Sequence, residues 1–114
     1  MNKKQKINRF KKFLIEVSED IKIFNLEFGS FNKEDINDVF ELFKYRSNII
    51  ISRKIRVGLV GRVSVKDLYD DAVISDVIGR ESTVKRKVFK LCTLKVLSLK
   101  RHRNKSSPTV IFNK

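Results

Sequence analysis

Length, composition and charge bound what this chain can be. With 114 residues it can hold one domain with a modest core, and its single cysteine and single histidine leave no internal disulfide and no zinc site built by this chain alone. The formal net charge is +13, yet all 13 acidic residues lie between Glu16 and Glu81, so both ends are purely basic. This pattern predicts a polyanionic partner, and nucleic acid fits it better than anionic lipid.

Membrane and secretory segments are not expected from the sequence. No uninterrupted apolar run reaches the roughly 18 residues that a spanning helix requires. The N-terminus lacks the apolar core and the small-residue cleavage site of a secretory signal. We therefore expect a cytoplasmic protein that has no membrane partner.

The N-terminal third combines a basic segment with one clear helix. The basic composition of residues 1–12 predicts a flexible arm that becomes ordered on a phosphate backbone. Residues 13–18 alternate apolar and polar side chains, a pattern that favours a strand. Asn32 is the predicted N-cap of a helix whose apolar residues recur at helical spacing. The predicted RNA-binding cations of the arm are Lys3, Lys4, Lys6, Arg9, Lys11 and Lys12.

Residues 46–56 leave two interpretations open. The run of three isoleucines at positions 49–51 favours a buried strand, whereas the polar residues that follow it can start a helix. Gly58 and Gly61 come next, but no Gly-Lys-Ser/Thr follows them, so we predict backbone bends and not a phosphate-binding loop.

Residues 62–79 predict a β-hairpin whose turn contains the acidic pair Asp70 and Asp71. In the competing interpretation Ser64 is the N-cap of a helix that covers residues 65–73. The two interpretations lead to different folds.

The basic C-terminal helix and hairpin, residues 81–112, form the most informative unit of the sequence. Ser82 or Thr83 is the predicted N-cap of a helix that ends near Leu94, with an apolar stripe on one face and a row of cations on the other. Residues 96–101 and 109–112 predict two strands around a turn at residues 104–107. The predicted RNA-binding cations of this unit are Lys85, Arg86, Lys87, Lys90, Lys95, Lys100, Arg101, Arg103 and Lys105.

The predicted elements, in the order strand, helix, hairpin, helix, hairpin, give an α+β fold for residues 13–114. We expect a mostly antiparallel sheet with two helices packed on one face. His102 is predicted to contact phosphate or solvent, and Cys92 is predicted to be a small core residue. Since no nucleophile, base and orienting group occur together, we expect no enzyme, no cofactor, no metal and no small-molecule substrate.

The chain also resembles the eukaryotic L-twenty-two family of large-subunit ribosomal proteins. Lys4-Gln5-Lys6-Ile7 resembles its basic N-terminal Lys-Gln-Lys-Ile, and residues 13–18 resemble its first strand, Phe-x-x-Asp-Val-Ser. Residues 84–97 resemble its hallmark helix, Phe-Ser-x-Lys-Tyr-Leu-Lys-Tyr-Leu-Thr-Lys-Lys-Tyr-Leu. The residues that match within that helix are Lys87, Lys90, Thr93, Lys95 and Leu97.

This resemblance implies a structural constituent of the large ribosomal subunit. Its partners would be ribosomal RNA and neighbouring ribosomal proteins, and it would carry no catalytic activity. The residues themselves indicate how RNA would be held, because lysine and arginine side chains neutralise backbone phosphates and release counterions. We therefore predict that reversing Arg86, Lys87 and Lys90 to glutamate abolishes RNA association while the fold is kept.

A winged-helix nucleic-acid-binding domain is the alternative. Residues 82–86 would open a recognition helix and residues 96–112 would form the wing, an arrangement that requires a helix over residues 65–73. A weaker resemblance, to the small-subunit S-twenty-five family of winged-helix ribosomal proteins, covers residues 80–112. A DNA-binding transcriptional regulator is the alternative from a different functional class.

Overall fold

The computed structural model describes residues 3–104 and 106–113. The chain divides into two compact units, residues 1–31 and residues 32–114. Within the described residues there are five helices and one two-stranded antiparallel sheet, so the prediction of a mostly antiparallel sheet is wrong. The elements are α1 (Lys3–Phe28), α2 (Ile36–Arg56), α3 (Val65–Asp70), α4 (Ala72–Val77), α5 (Glu81–Thr93), β1 (Leu97–Lys100) and β2 (Thr109–Phe112).

The first unit is built on the 26-residue helix α1. The predicted strand at residues 13–18 is helical, and the described part of the predicted arm belongs to the same helix. The alternation over 13–18 was too short a signal, because no glycine or proline interrupts residues 3–28 and Val17 and Phe24 recur seven residues apart on one helical face. Both side chains are buried, and the Phe24 ring meets Phe31 edge to face at 5.4 Å.

Helix α2 is the long central helix of the second unit. Its N-cap is Asp35 and not the predicted Asn32, since the Asp35 carboxylate accepts hydrogen bonds from the backbone N–H groups of Asn37 and Asp38. Asn32 belongs to the preceding turn, where its side chain accepts a bond from the Glu34 N–H. The three isoleucines at 49–51 lie inside α2, which settles the open interpretation of residues 46–56 as helix.

The C-terminus of α2 explains Gly58. The N–H of Leu59 donates to the carbonyl of Lys54 and the N–H of Gly58 donates to the carbonyl of Ile55, which is the bond pair of a Schellman motif. The motif requires a left-handed residue at the position of Gly58, whose φ is +81°. The predicted backbone bend is therefore confirmed at this position.

Helices α3 and α4 occupy most of the segment that was predicted to be a hairpin. Ser64 caps α3 through a capping box: its hydroxyl accepts from the Asp67 N–H, and the Asp67 carboxylate accepts from the Ser64 N–H. The hairpin prediction for residues 62–79 is wrong because Val65, Leu68 and the buried residues of α4 follow helical and not alternating spacing. The competing interpretation, with Ser64 as N-cap, is confirmed, although the helix breaks at Asp71.

The Asp67 carboxylate, which caps α3, also joins α3 to α2. Lys54 Nζ lies 2.6 Å from Asp67 Oδ2 and donates a second bond to the carbonyl of Arg62 at 2.8 Å. Partial burial raises the pKa of Asp67, but the hydrogen bonds from Lys54 and Ser64 outweigh it and hold that pKa below its ordinary value.

A buried ion pair ties α2 to the junction of α3 and α4. Asp71 caps α4 by accepting from the Ile74 N–H, and its carboxylate forms two bonds of 2.9 Å with Nε and an NH2 nitrogen of Arg46. The side-chain exposure of this pair is 0% for Arg46 and 5% for Asp71. One aspartate therefore ends α3, begins α4 and orients both against α2.

Helix α5 follows α4 after a short turn that contains Gly79, whose φ is +136°. It begins at Glu81, and its N-cap Arg80 makes no side-chain capping bond, so the predicted capping by Ser82 or Thr83 is wrong. The predicted end is confirmed, because Leu94 is the C-cap. A second Schellman bond pair follows, and here the left-handed residue is Lys95, with φ +61°.

The C-terminal hairpin is present where the sequence predicts it. β1 and β2 pair antiparallel, with Leu97 opposite Phe112 and Lys100 opposite Thr109. The segment before α3 joins them, since Val110 donates to the carbonyl of Val63 and Val65 donates to the carbonyl of Pro108. The order of elements in the second unit is therefore α2, the isolated β-bridge between Ser64 and Thr109, α3, α4, α5 and the β1–β2 hairpin.

Gly58 and Lys95 both have positive φ, and opposite substitutions at these two positions should change stability in opposite directions. We expect Gly58→Ala to lower the free energy of unfolding by about 1 kcal/mol, because no atom lies within 4 Å of the added Cβ and only the backbone conformation is penalised. We expect Lys95→Gly to raise it by about 0.5–1 kcal/mol, since glycine adopts positive φ without that penalty. Urea unfolding followed by circular dichroism measures both, and a destabilised Lys95→Gly variant would contradict the assignment.

Candidate nucleic-acid interface

Helix α5 presents one apolar face and one polar face, as predicted. Val84, Val88 and Leu91 are buried against the core, and Cys92 beside them is half-buried, with its thiol pKa raised by burial. The outward face carries side chains that can donate hydrogen bonds or neutralise phosphates. The exposed residues of α5 on that face are Ser82, Lys85, Arg86, Phe89, Lys90 and Thr93.

The cations of α5 differ in their exposure and in whether they form an ion pair. Arg86 and Lys90 are exposed and form no ion pair with any described residue. Lys85 is also exposed, but its ammonium lies 2.8 Å from the Glu81 carboxylate and 5.6 Å from the centre of the Tyr69 ring. The hydrogen bond that Lys85 donates to the Glu81 carboxylate raises the pKa of Lys85. Lys87 is only half-exposed.

Lys87 lies at the edge of the outward face and not at its centre. Together with Arg86 and Lys90 it lines a groove of about 580 Å³ that also contains Ile36, Ile78 and Thr83. Of the three cations Arg86, Lys87 and Lys90 that the sequence predicts on the polar face, two are therefore exposed on it and Lys87 lies at its edge. Lys95 follows α5 and is exposed at the start of the connection to β1.

The hairpin carries the second group of predicted cations. Lys100 ends β1, and Arg101 and Arg103 lie in the connection to β2, all three exposed. Ser107 ties the hairpin to α3, because its hydroxyl accepts a bond from the Lys66 N–H, and within the hairpin His102 Nε2 lies 2.7 Å from Thr109 Oγ1. Lys105, the last predicted RNA-binding residue, lies outside the described residues.

The hairpin and α5 face a common groove. A depression of about 630 Å³ runs between α3, α5 and the hairpin, with an apolar floor that includes Val88 and Leu99. Lys85 and Arg101 line it from opposite elements, and the exposed ring of Phe89 lies at its edge. Lys85 of α5 and Arg101 of the hairpin therefore border one groove, whereas Arg86, Lys87 and Lys90 line the other.

The six cations predicted for the N-terminal arm are all exposed on α1. They fall within its first ten residues, and no acidic residue lies in its first turn. Positive charge at a helix N-terminus opposes the helix dipole, so this arrangement is unfavourable for α1 by itself and is relieved by a bound anion. α1 belongs to the first unit.

Two site features escaped the sequence analysis. The exposure of Phe89 was not predicted, although its position opposite Val84 and Leu91 on the helix indicates an outward ring. The Ser107 contact to the start of α3 could not be foreseen, because it joins residues 41 apart in the sequence.

Neither a metal-binding cluster nor a membrane-spanning helix occurs in the described part of the chain. Residues 3–104 and 106–113 contain no group of three or more histidine, cysteine, aspartate or glutamate side chains that could hold a metal ion. Among the same residues, no helix combines the length and apolar character needed to cross a bilayer.

Searches of known protein families, of curated proteins and of solved structures found no match to this chain.

Proposed function

We propose that this protein binds duplex DNA through a winged-helix domain, with α5 as the recognition helix and the β1–β2 hairpin as the wing. The single observation that carries the proposal is the outward face of α5, on which Arg86 and Lys90 are exposed and from which Lys85 shares a groove with Arg101 of the hairpin. Lys100 and Arg103 are exposed on the same hairpin. A helix on a short turn after α4, with its apolar face in the core, is the part of such domains that enters a groove.

The dimensions of nucleic-acid grooves favour duplex DNA for this surface. The major groove of B-form DNA admits an α-helix, and the edges of its bases are distinguishable there. The corresponding groove of A-form RNA is deep and narrow, so side chains on a helix do not reach the bases. The hairpin offers no stacking platform either, because its outward positions hold Ser98, Lys100 and Ile111 and no aromatic ring.

The hairpin and α5 are suited to different contacts with DNA. Cations on the hairpin are suited to phosphates on either side of the groove, which position the protein without reading the sequence. Arg86 and Lys90 can reach base edges or phosphates from α5, and arginine pairs bidentately with guanine in the major groove. The protein would therefore act as a sequence-reading DNA-binding protein, as expected for a transcriptional regulator.

RNA binding through the same surface is the second candidate. The basic helix and hairpin that resemble the S-twenty-five family at residues 80–112 favour it, and shape-directed phosphate contacts would suffice for it. Membership of the large ribosomal subunit stays a prediction, and the mostly antiparallel sheet that we expect from the sequence is not found among residues 3–104 and 106–113.

Fluorescence anisotropy with labelled duplexes tests the proposal. We expect the full chain to bind a random-sequence DNA duplex more tightly than an RNA duplex of the same sequence and length at equal salt. The slope of log K against log salt concentration should correspond to several phosphates, at about −0.9 for each phosphate neutralised. Equal or tighter binding to RNA would favour the second candidate, and no salt-dependent binding to either duplex would contradict both.

A further inference from the structure

Phe89 is the least expected residue on the outward face of α5. Its side chain is 74% exposed, whereas Val84, Val88 and Leu91 on the same helix are almost fully buried. Exposing a phenyl ring to water forgoes the burial free energy of a large apolar side chain. The ring borders the groove between α3, α5 and the hairpin, but that groove leaves it mostly exposed.

The surroundings of Phe89 indicate the chemistry of what covers it. Arg86 lies one turn before it and Lys90 directly after it, both exposed, and Arg101 of the hairpin lines the groove that the ring borders. An apolar protein partner at this position would have to bury these cations without compensation, which is costly. A polyanion that offers an apolar group among its charges satisfies both features.

Duplex DNA provides such a group in its major groove. Each thymine carries a C5 methyl there, and apolar side chains such as phenylalanine contact it, while arginine and lysine pair with neighbouring base edges or phosphates. Ser82 and Thr93 lie on the same line of α5 as Phe89, seven residues before it and four after it, so the ring occupies the middle of the face that would enter the groove.

We propose that Phe89 is a specificity-determining residue that reads the 5-methyl group of a thymine in the major groove of duplex DNA. This inference rests on the proposed function, since it assigns a base preference to the same surface. It also predicts discrimination against uracil, because uracil differs from thymine only by lacking that methyl group.

The experiment compares thymine with uracil in otherwise identical duplexes. A random duplex pool is selected on the full chain, and the tightest duplex is resynthesised with deoxyuridine replacing thymidine at one position at a time. We expect replacement at one or two positions to weaken binding by the wild-type protein about fourfold, the effect of losing one buried methyl group. Replacement elsewhere should leave the affinity unchanged.

Two variants assign the effect to the ring. Phe89→Ala should weaken binding to the thymine duplex by a similar factor and should bind the thymine and uracil duplexes equally. Val57→Ala, which trims an aliphatic side chain that is 70% exposed outside α5, should keep the full difference between the two duplexes. Circular dichroism verifies that each variant is folded, and the wild-type comparison decides the question even if a variant does not fold.

The outcomes separate this inference from the proposed function. A selected duplex that wild-type protein binds with no thymine-to-uracil difference at any position overturns the role of Phe89 and leaves DNA binding in place. A Phe89→Ala variant that keeps the difference overturns it too. If no duplex is bound at all, the proposed function and this inference fall together.

Discussion

The double variant Arg86→Glu/Lys90→Glu should lose about 100-fold or more in affinity for duplex DNA at roughly 0.1 M salt. Each residue is exposed on the outward face of α5, and a charge-assisted contact to phosphate or base contributes about 1.5–3 kcal/mol. The slope of log K against log salt should also become shallower by about 2, because two phosphate contacts are removed. Anisotropy titrations over a salt series measure both quantities.

A matched double reversal on α2 is the control for this experiment. Lys44→Glu/Arg56→Glu changes the net charge by the same amount but alters α2, which lies outside the proposed surface. We expect it to weaken binding only slightly, through the reduced overall charge. Equal losses from the two double variants would mean that the total charge of the protein governs binding and not the face of α5.

The largest stability effect should come from the buried ion pair between Arg46 and Asp71. We expect Asp71→Asn to lower the free energy of unfolding by about 3–5 kcal/mol, because it leaves the buried Arg46 guanidinium without its carboxylate partner. Asparagine can still accept the capping bond from the Ile74 N–H, so the loss would come from the charge and not from the cap. Urea unfolding monitored by circular dichroism measures it.

The double variant Arg46→Met/Asp71→Asn separates pairing from packing. Removing both charges eliminates the uncompensated cation, so we expect the double variant to be more stable than Asp71→Asn alone. Asp71→Asn within about 0.5 kcal/mol of wild type would contradict the assignment, since that is the range of surface substitutions away from such features.

Helix α5 and the β1–β2 hairpin could be predicted from the sequence because their signals are local. The turn residues at 104–107 and the β-branched residues of β2 are local signals that indicate a hairpin. The end of α5 was predicted because Lys95 would have fallen on the apolar stripe, and the chain indeed leaves the helix there in a left-handed conformation.

The N-terminal and central segments could not be predicted because their local signals were ambiguous. The isoleucines at 49–51 favour a strand by intrinsic preference, but α2 is capped at Asp35 and ends only at the Schellman motif of Gly58, so they remain helical. The fold around Asp71 depends on a bond to Arg46, 25 residues earlier, which no local pattern reveals. The alternative helix after Ser64 was the correct interpretation.

The candidate surface was predicted in part. Its cations were identified from the charge distribution. The ion pair of Lys85 with Glu81 and the partial burial of Lys87 were not predicted, because both depend on packing. Phe89 was missed because an aromatic residue in a helix is usually a core residue. Its position opposite the buried stripe was available from the spacing alone.

Chemical-shift mapping of the isotope-labelled full chain with a selected DNA duplex tests the central claim most directly. The account predicts that the largest amide shift changes fall in α5 and in residues 97–112, with Phe89, Arg86 and Lys90 among them. Changes confined to α2, or to the residues of α1 alone, would contradict the assignment of α5 and the hairpin as the DNA-binding surface.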